Sequence, residues 1–238
     1  MDAEPCLADE KTGDTAVGNG DIMNVVCDAD GMNATDSIAD VAVEAVNDKE
    51  ESVFSKIYDK HPLGETSKGK VLVENIIFKT YIYVHSDDTR LLAARRTLCG
   101  FNIYSVQEDH RLVAVLKANI FGTKYHLDDS LDIRYETSFL QRGRPRAFAV
   151  GLDGLGLCNK KPYFNNETQS FSLNFNGRVT QPSVRNLQII HPLDPTYITL
   201  TFGKENDNTY ILDFSYPWAA IKAFCIALSA LDHKFGCD

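Results

Sequence analysis

The segment Trp218-Ala219-Ala220-Ile221-Lys222-Ala223-Phe224-Cys225-Ile226-Ala227-Leu228-Ser229-Ala230-Leu231 is apolar on every helical face, with only Lys222 and Ser229 polar. A helix that is hydrophobic all round has to be buried, in a core or in a membrane. Its length is about 21 Å, short of the ~20 residues that a bilayer crossing needs. The segment therefore reads as a central core helix, kept slim by its alanines. Pro217 suits the first helical turn. Lys222 is expected to reach out to the rim of the core, because a buried unpaired lysine is costly.

The residues upstream supply the wall around this rod. Short β-like runs separated by turn residues predict strands at Val71–Phe78, Thr80–His85, Arg90–Arg95, Phe101–Val106, Leu112–Ala118, Thr123–Leu127, Leu131–Glu136, Arg146–Leu152, Gln169–Asn174, Asn186–His191, Tyr197–Phe202 and Thr209–Phe214. Gly151-Leu152-Asp153-Gly154-Leu155-Gly156 reads as a loop between strands. Twelve strands around a slim apolar rod predict a mainly β protein, a closed barrel whose lumen holds the C-terminal helix. Closure leaves no strand edge exposed.

Charge divides the chain. Residues 1–66 carry a net charge of -12 and residues 67–238 a net of +3, within a total of -9. The first stretch, poor in aromatics, reads as a disordered acidic tail. Within it, 48–58 has a helix-start pattern and places Val53, Phe54 and Ile57 on one face. It reads either as a transient helix or as a docking helix for a partner. The body, 67–238, reads as the folded domain; its weak positive balance argues against nucleic acid and suits an anionic surface.

The six cysteines lie far apart without a C-x-x-C pair, so a reduced compartment is expected and no metal site. The N-terminus shows no basic n-region followed by an apolar stretch, so no signal peptide is expected. The six histidines form no H-E-x-x-H, and neither a P-loop nor G-x-S-x-G is present. No catalytic residue, cofactor or enzymatic activity is expected.

Two blocks resemble the signatures of the Tubby family. Phe175-Asn176-Gly177-Arg178-Val179-Thr180-Gln181-Pro182-Ser183-Val184-Arg185-Asn186-Leu187-Gln188 is similar to its F-x-G-R-V-T-x-A-S-V-K-N-F-Q block. Ala223 to Asp238 is similar to its C-terminal A-F-A-I-A-L-S-S-F-D-x-K-x-A-C-E, including Phe224, Lys234 and Cys237. The resemblance runs from about Val71 to Asp238. It implies a twelve-stranded antiparallel barrel around a central helix, and it assigns Phe175, Gly177, Arg178, Asn186, Phe224, Lys234 and Cys237 mainly to the fold.

The resemblance also implies an adaptor that binds phosphatidylinositol 4,5-bisphosphate. It would be cytoplasmic and peripheral at the plasma membrane, with a link to the cilium or nucleus in some members. Receptor cargo and ciliary transport machinery would be met through the tail. In the family, a K-x-R pair precedes a G-T-K turn and grips the inositol phosphates. Here the turn is Gly122-Thr123-Lys124, which places Lys117 at the second basic position and Val115 at the first. The family's asparagine on the preceding strand falls near Gly100–Phe101, where no side chain matches. Arg142 and Arg144, in Arg142-Gly143-Arg144-Pro145-Arg146, are further candidates for the phosphates, and Arg95-Arg96 adds positive charge. The rival readings are a barrel scaffold for protein–protein contacts with a degenerate lipid site, a transcription-related regulator, and a scramblase-like barrel whose helix enters the membrane.

Overall fold

A computed structural model describes residues 52–75, 77–136, 145–167 and 169–233. A short helix, α1, covers 52–58. It is followed by β1 (Ser67–Glu74), β2 (Thr80–Val84), β3 (Arg90–Thr97), β4 (Gly100–Ser105), β5 (Leu112–Ala118), β6 (Lys124–Leu127) and β7 (Leu131–Tyr135). Then come β8 (Phe148–Leu152), β9 (Leu155–Asn159), β10 (Tyr163–Asn165), β11 (Ser170–Ser172), β12 (Leu187–His191), β13 (Asp194–Lys204), β14 (Thr209–Phe214) and α2 (Ala220–Leu231). Twelve strands close into one barrel in the order β1-β14-β13-β12-β9-β8-β7-β6-β5-β4-β3-β2. The pairings are antiparallel throughout, including the β1–β14 closure.

α2 lies inside. Every residue from Ala220 to Ala230 except Lys222 is buried. Inward residues of the strands, among them Phe101, Ile103, Leu116, Ile133, Val150, Ile189, Phe202 and Leu212, share one apolar cluster with the helix. Period-two alternation sends these side chains inward and their neighbours outward. The helix's two polar groups both have partners. Ser229 Oγ lies 2.9 Å from Tyr135 Oη, and Lys222 Nζ reaches Asp153 Oδ1 at 2.6 Å. Trp218, fully buried just before the helix, donates its indole N–H to Thr199 Oγ1 at 3.0 Å. No helix among the described residues is long and apolar enough to cross a membrane.

The twelve strands of the barrel are not the twelve that the sequence pattern picks out. The glycine-containing stretch read as a loop is a hairpin: Asp153 and Gly154, both at positive φ, turn β8 into β9. The run Gln169–Asn174 yields only β11, which pairs with β10 in a separate two-stranded sheet. β1 starts at Ser67 and ends at Glu74, because Asn75 turns the chain at φ 62°. Pro217 sits before the helix, in a turn closed by Trp218 N–H donating to Ser215 O at 3.0 Å.

Residues 52–66, read from sequence with the acidic tail, pack on the barrel. Ile57 of α1 is buried in the main core, while Phe54 on the same helix is exposed. His61 N–H donates to Trp218 O at 2.8 Å. Lys56 pairs with Asp87 in the β2–β3 turn, and Lys60 and Lys222 both pair with Asp153 in the β8–β9 turn. α1 thus covers the barrel end at which α2 begins.

Removing the rod should remove the fold. A chain ended before Trp218 is expected to lack a cooperative melt by circular dichroism. Phe224→Ala should cost about 3–5 kcal/mol in urea unfolding. Burial pushes the Asp153 carboxyl up, but Lys222 and Lys60 outweigh it and hold it below the usual carboxylate range. Its stabilisation is therefore present above the unfolded-state pKa of about 3.9 and lost as pH falls through the lower folded value. Asp153→Asn should flatten that part of the acid-denaturation curve.

Candidate functional site

At the other end of the barrel α2 terminates without a basic residue in its last turn. Positive charge at a helix C-terminus is favourable, and the wall supplies it. Arg96 donates from Nε and Nη2 to the two Asp232 oxygens at 2.6 and 3.4 Å, and Tyr125 Oη donates to Asp232 Oδ2 at 2.9 Å. Burial and the neighbouring carboxylate raise the Tyr125 hydroxyl far above its ordinary pKa, so it stays protonated and donating. Arg146 Nη1 donates to Ala230 O at 2.9 Å.

This splits the Arg95-Arg96 pair. Arg96 faces the mouth and is committed to Asp232. Arg95 faces outward and pairs in register with Asn102 on β4, which in turn pairs with Val115 on β5. Asn102 is thus one residue beyond Gly100–Phe101, where the family's asparagine falls. It stands directly beside the apolar residue at the first basic position. Arg95 lies two strands from Val115, about 10 Å, within the combined reach of long side chains around one phosphorylated ring.

Lys117 is exposed on the same outer face, opposite Gly100 on β4 and His126 on β6. Gly100 has φ 128°, and a Cβ there would lie 1.9 Å from Leu116 O, so only glycine fits. Gly100 thereby lets β4 pack closely on the β5 backbone beside Lys117. Lys124 pairs in register with Arg134 on β7, while Arg134 and His126 share Asp132 at 3.3 and 3.1 Å. Among the described residues, no carboxylate pairs with Arg95, Lys117 or Lys124. Arg95, Lys117 and Lys124 thus form a stretch of cations across the outer face of β3 to β6 with no carboxylate partner among the described residues.

The other candidates distribute as follows. Arg142, Arg144, Lys234 and Cys237 lie outside the described residues. Arg178 makes a two-point ion pair with Asp213 of β14 at 2.9 and 2.6 Å. Asn186 donates from Nδ2 to Gln181 O and accepts from Lys204 N–H, both at 2.9 Å, which ties its loop to β13. Gly177 holds φ 75° in the turn after Phe175 and Asn176. Phe175 lines a groove with Phe164 and Phe171, and Phe224 is fully buried in α2. Arg95 and Asn102 carry no local motif; only strand register brings them beside Val115.

A closed antiparallel barrel plugged by its own C-terminal helix, with a cationic outer face, defines the class of protein. Residues 140–233 match the model of the Tub family. Protein king tubby 2 and king tubby 1 of Aedes aegypti are each 36% identical over an alignment 170 positions long, gaps included, covering 53% of this chain and 42% of theirs. Tubby-related protein 3 of Homo sapiens is 29% identical over an alignment 269 positions long, gaps included, covering 84% of this chain and 60% of its own length. The chain spans about half the length of the curated relatives it matches. Over these residues the chain is similar to the Tub family.

The clamp at the mouth is testable. Arg96→Met leaves the Asp232 carboxylate buried with the Tyr125 hydroxyl as its remaining side-chain donor among the described residues. The expected loss is roughly 3 kcal/mol in urea unfolding.

Proposed function

We propose that this chain is a phosphoinositide-binding adaptor, not an enzyme, that docks peripherally on the cytoplasmic face of the plasma membrane through the outer face of β3 to β6. One observation carries the reading: Arg95, Asn102, Lys117 and Lys124 project from adjacent strands, and among the described residues no carboxylate answers the three cations. A polyanionic inositol headgroup supplies the missing charge. Arginine grips phosphate with a planar fork, lysine adds a point charge, and the asparagine amide adds directional hydrogen bonds. In this reading Arg95 takes up the part that Val115 cannot play. Receptor cargo and ciliary transport machinery would be met through residues 1–51.

The rival reading is a barrel scaffold with a degenerate lipid site, favoured by Val115 standing outward where a basic residue is expected. Liposome co-sedimentation separates the two. Full-length chain should bind vesicles containing phosphatidylinositol 4,5-bisphosphate in preference to charge-matched phosphatidylserine vesicles. Lys117→Ala and Arg95→Ala should each weaken binding about tenfold or more, the worth of one charged hydrogen bond. Equal binding to both vesicle types would reduce the face to a non-specific basic patch. No binding at physiological salt would leave the scaffold.

A further inference from the structure

We propose that the turns beside the cationic face are lipid-inserting tips, so that the barrel docks end-on and not by its phosphate contacts alone. This rests on the membrane reading above and deepens it. In an antiparallel barrel, the β1–β2, β3–β4 and β5–β6 turns emerge at the same end. They carry Ile77, Phe78, Leu98 and Ile120, which are 85, 83, 96 and 91% exposed, and Phe121, 57% exposed.

Single exposed apolar residues are ordinary. Five on three neighbouring turns are not, and such a cluster marks an interaction surface. The matching turns at the opposite end provide an internal comparison. The β2–β3, β4–β5 and β6–β7 turns hold Asp87, Asp88, Glu108, Asp109, Asp128 and Asp129 and no exposed large apolar side chain. The same hairpins are thus acidic at one end and apolar at the other.

Charge identifies what covers the apolar tips. They are flanked by Lys79, Arg95, Lys117 and Lys124, in the turns or within the adjoining strand ends. Aromatic and aliphatic side chains ringed by lysine and arginine fit the boundary between anionic headgroups and acyl chains, where an apolar face sinks by about 5–10 Å. Each flanking cation adds attraction to an anionic leaflet. The acidic turns at the far end would then point away from the bilayer.

The test uses tryptophan fluorescence. The single native Trp218 is buried, so Leu98→Trp adds an exposed reporter over a constant background. On phosphatidylcholine vesicles with a minor fraction of phosphatidylinositol 4,5-bisphosphate, the reporter should shift to the blue and be quenched by brominated acyl chains. Leu98→Asp and Ile120→Asp, at fully exposed turn positions, should keep the native melting temperature and the affinity for soluble inositol 1,4,5-trisphosphate. Each should weaken vesicle binding by about ten- to a hundredfold. Vesicle binding without shift or quenching, and unaffected by the aspartates, would overturn insertion while leaving the phosphate site standing. Failure to bind either vesicles or the soluble headgroup would overturn the phosphoinositide reading and insertion with it.

Discussion

Filling of the barrel lumen by α2 is the constraint on which everything else depends. A closed twelve-stranded sheet with alternating side chains turns half of them inward, and the enclosed space must be packed densely to be stable. Here one helix fills it, alanine-rich enough to fit and apolar on all sides. The few polar groups it brings are answered by the wall: Ser229 by Tyr135, Lys222 by Asp153, and the final carbonyls and Asp232 by Arg146, Arg96 and Tyr125. Helix and wall are therefore parts of one core, and the signature residue Phe224 is packed among the strands around it.

The same arrangement makes the two ends of the barrel different. Where α2 begins, acidic turns collect the lysines of α1 and α2. Where α2 ends, β3 commits Arg96 to the helix terminus and leaves the neighbouring Arg95 outside. Adjacent residues Arg95 and Arg96 thereby acquire opposite roles, one anchoring the core and one facing solvent. Gly100 links the two levels. Its close approach to Leu116 O holds the β4 and β5 backbones together, opposite the outward Lys117.

Much of the barrel was legible because alternation and turn residues are local signals. β2 and β14 stand close to where the pattern places them. The failures have a physical basis. β9 is short, preceded by Gly154 and interrupted by Gly156, so its hydrophobic period is too brief to register, and it becomes a strand because β8 and β12 stand on either side to pair with it. Ser170–Ser172 has strand-like residues, yet it pairs only with β10 and joins no barrel edge. α1 showed its apolar face in the sequence, but that face gave no sign that the surface it meets is the barrel itself.

By itself the sequence determined a mainly β chain closed around an apolar C-terminal helix, the Tubby-like signatures, and Lys117 as an outward cation near a G-T-K turn. Tertiary structure alone decided that Asn102 stands beside Val115, that Arg95 faces out while Arg96 turns in, and that the apolar turn residues gather at one end. Periodicity fixes which face of its own strand a side chain takes. Which residue lies across from it depends on register and closure, and these are set by how the whole wall fits around the helix.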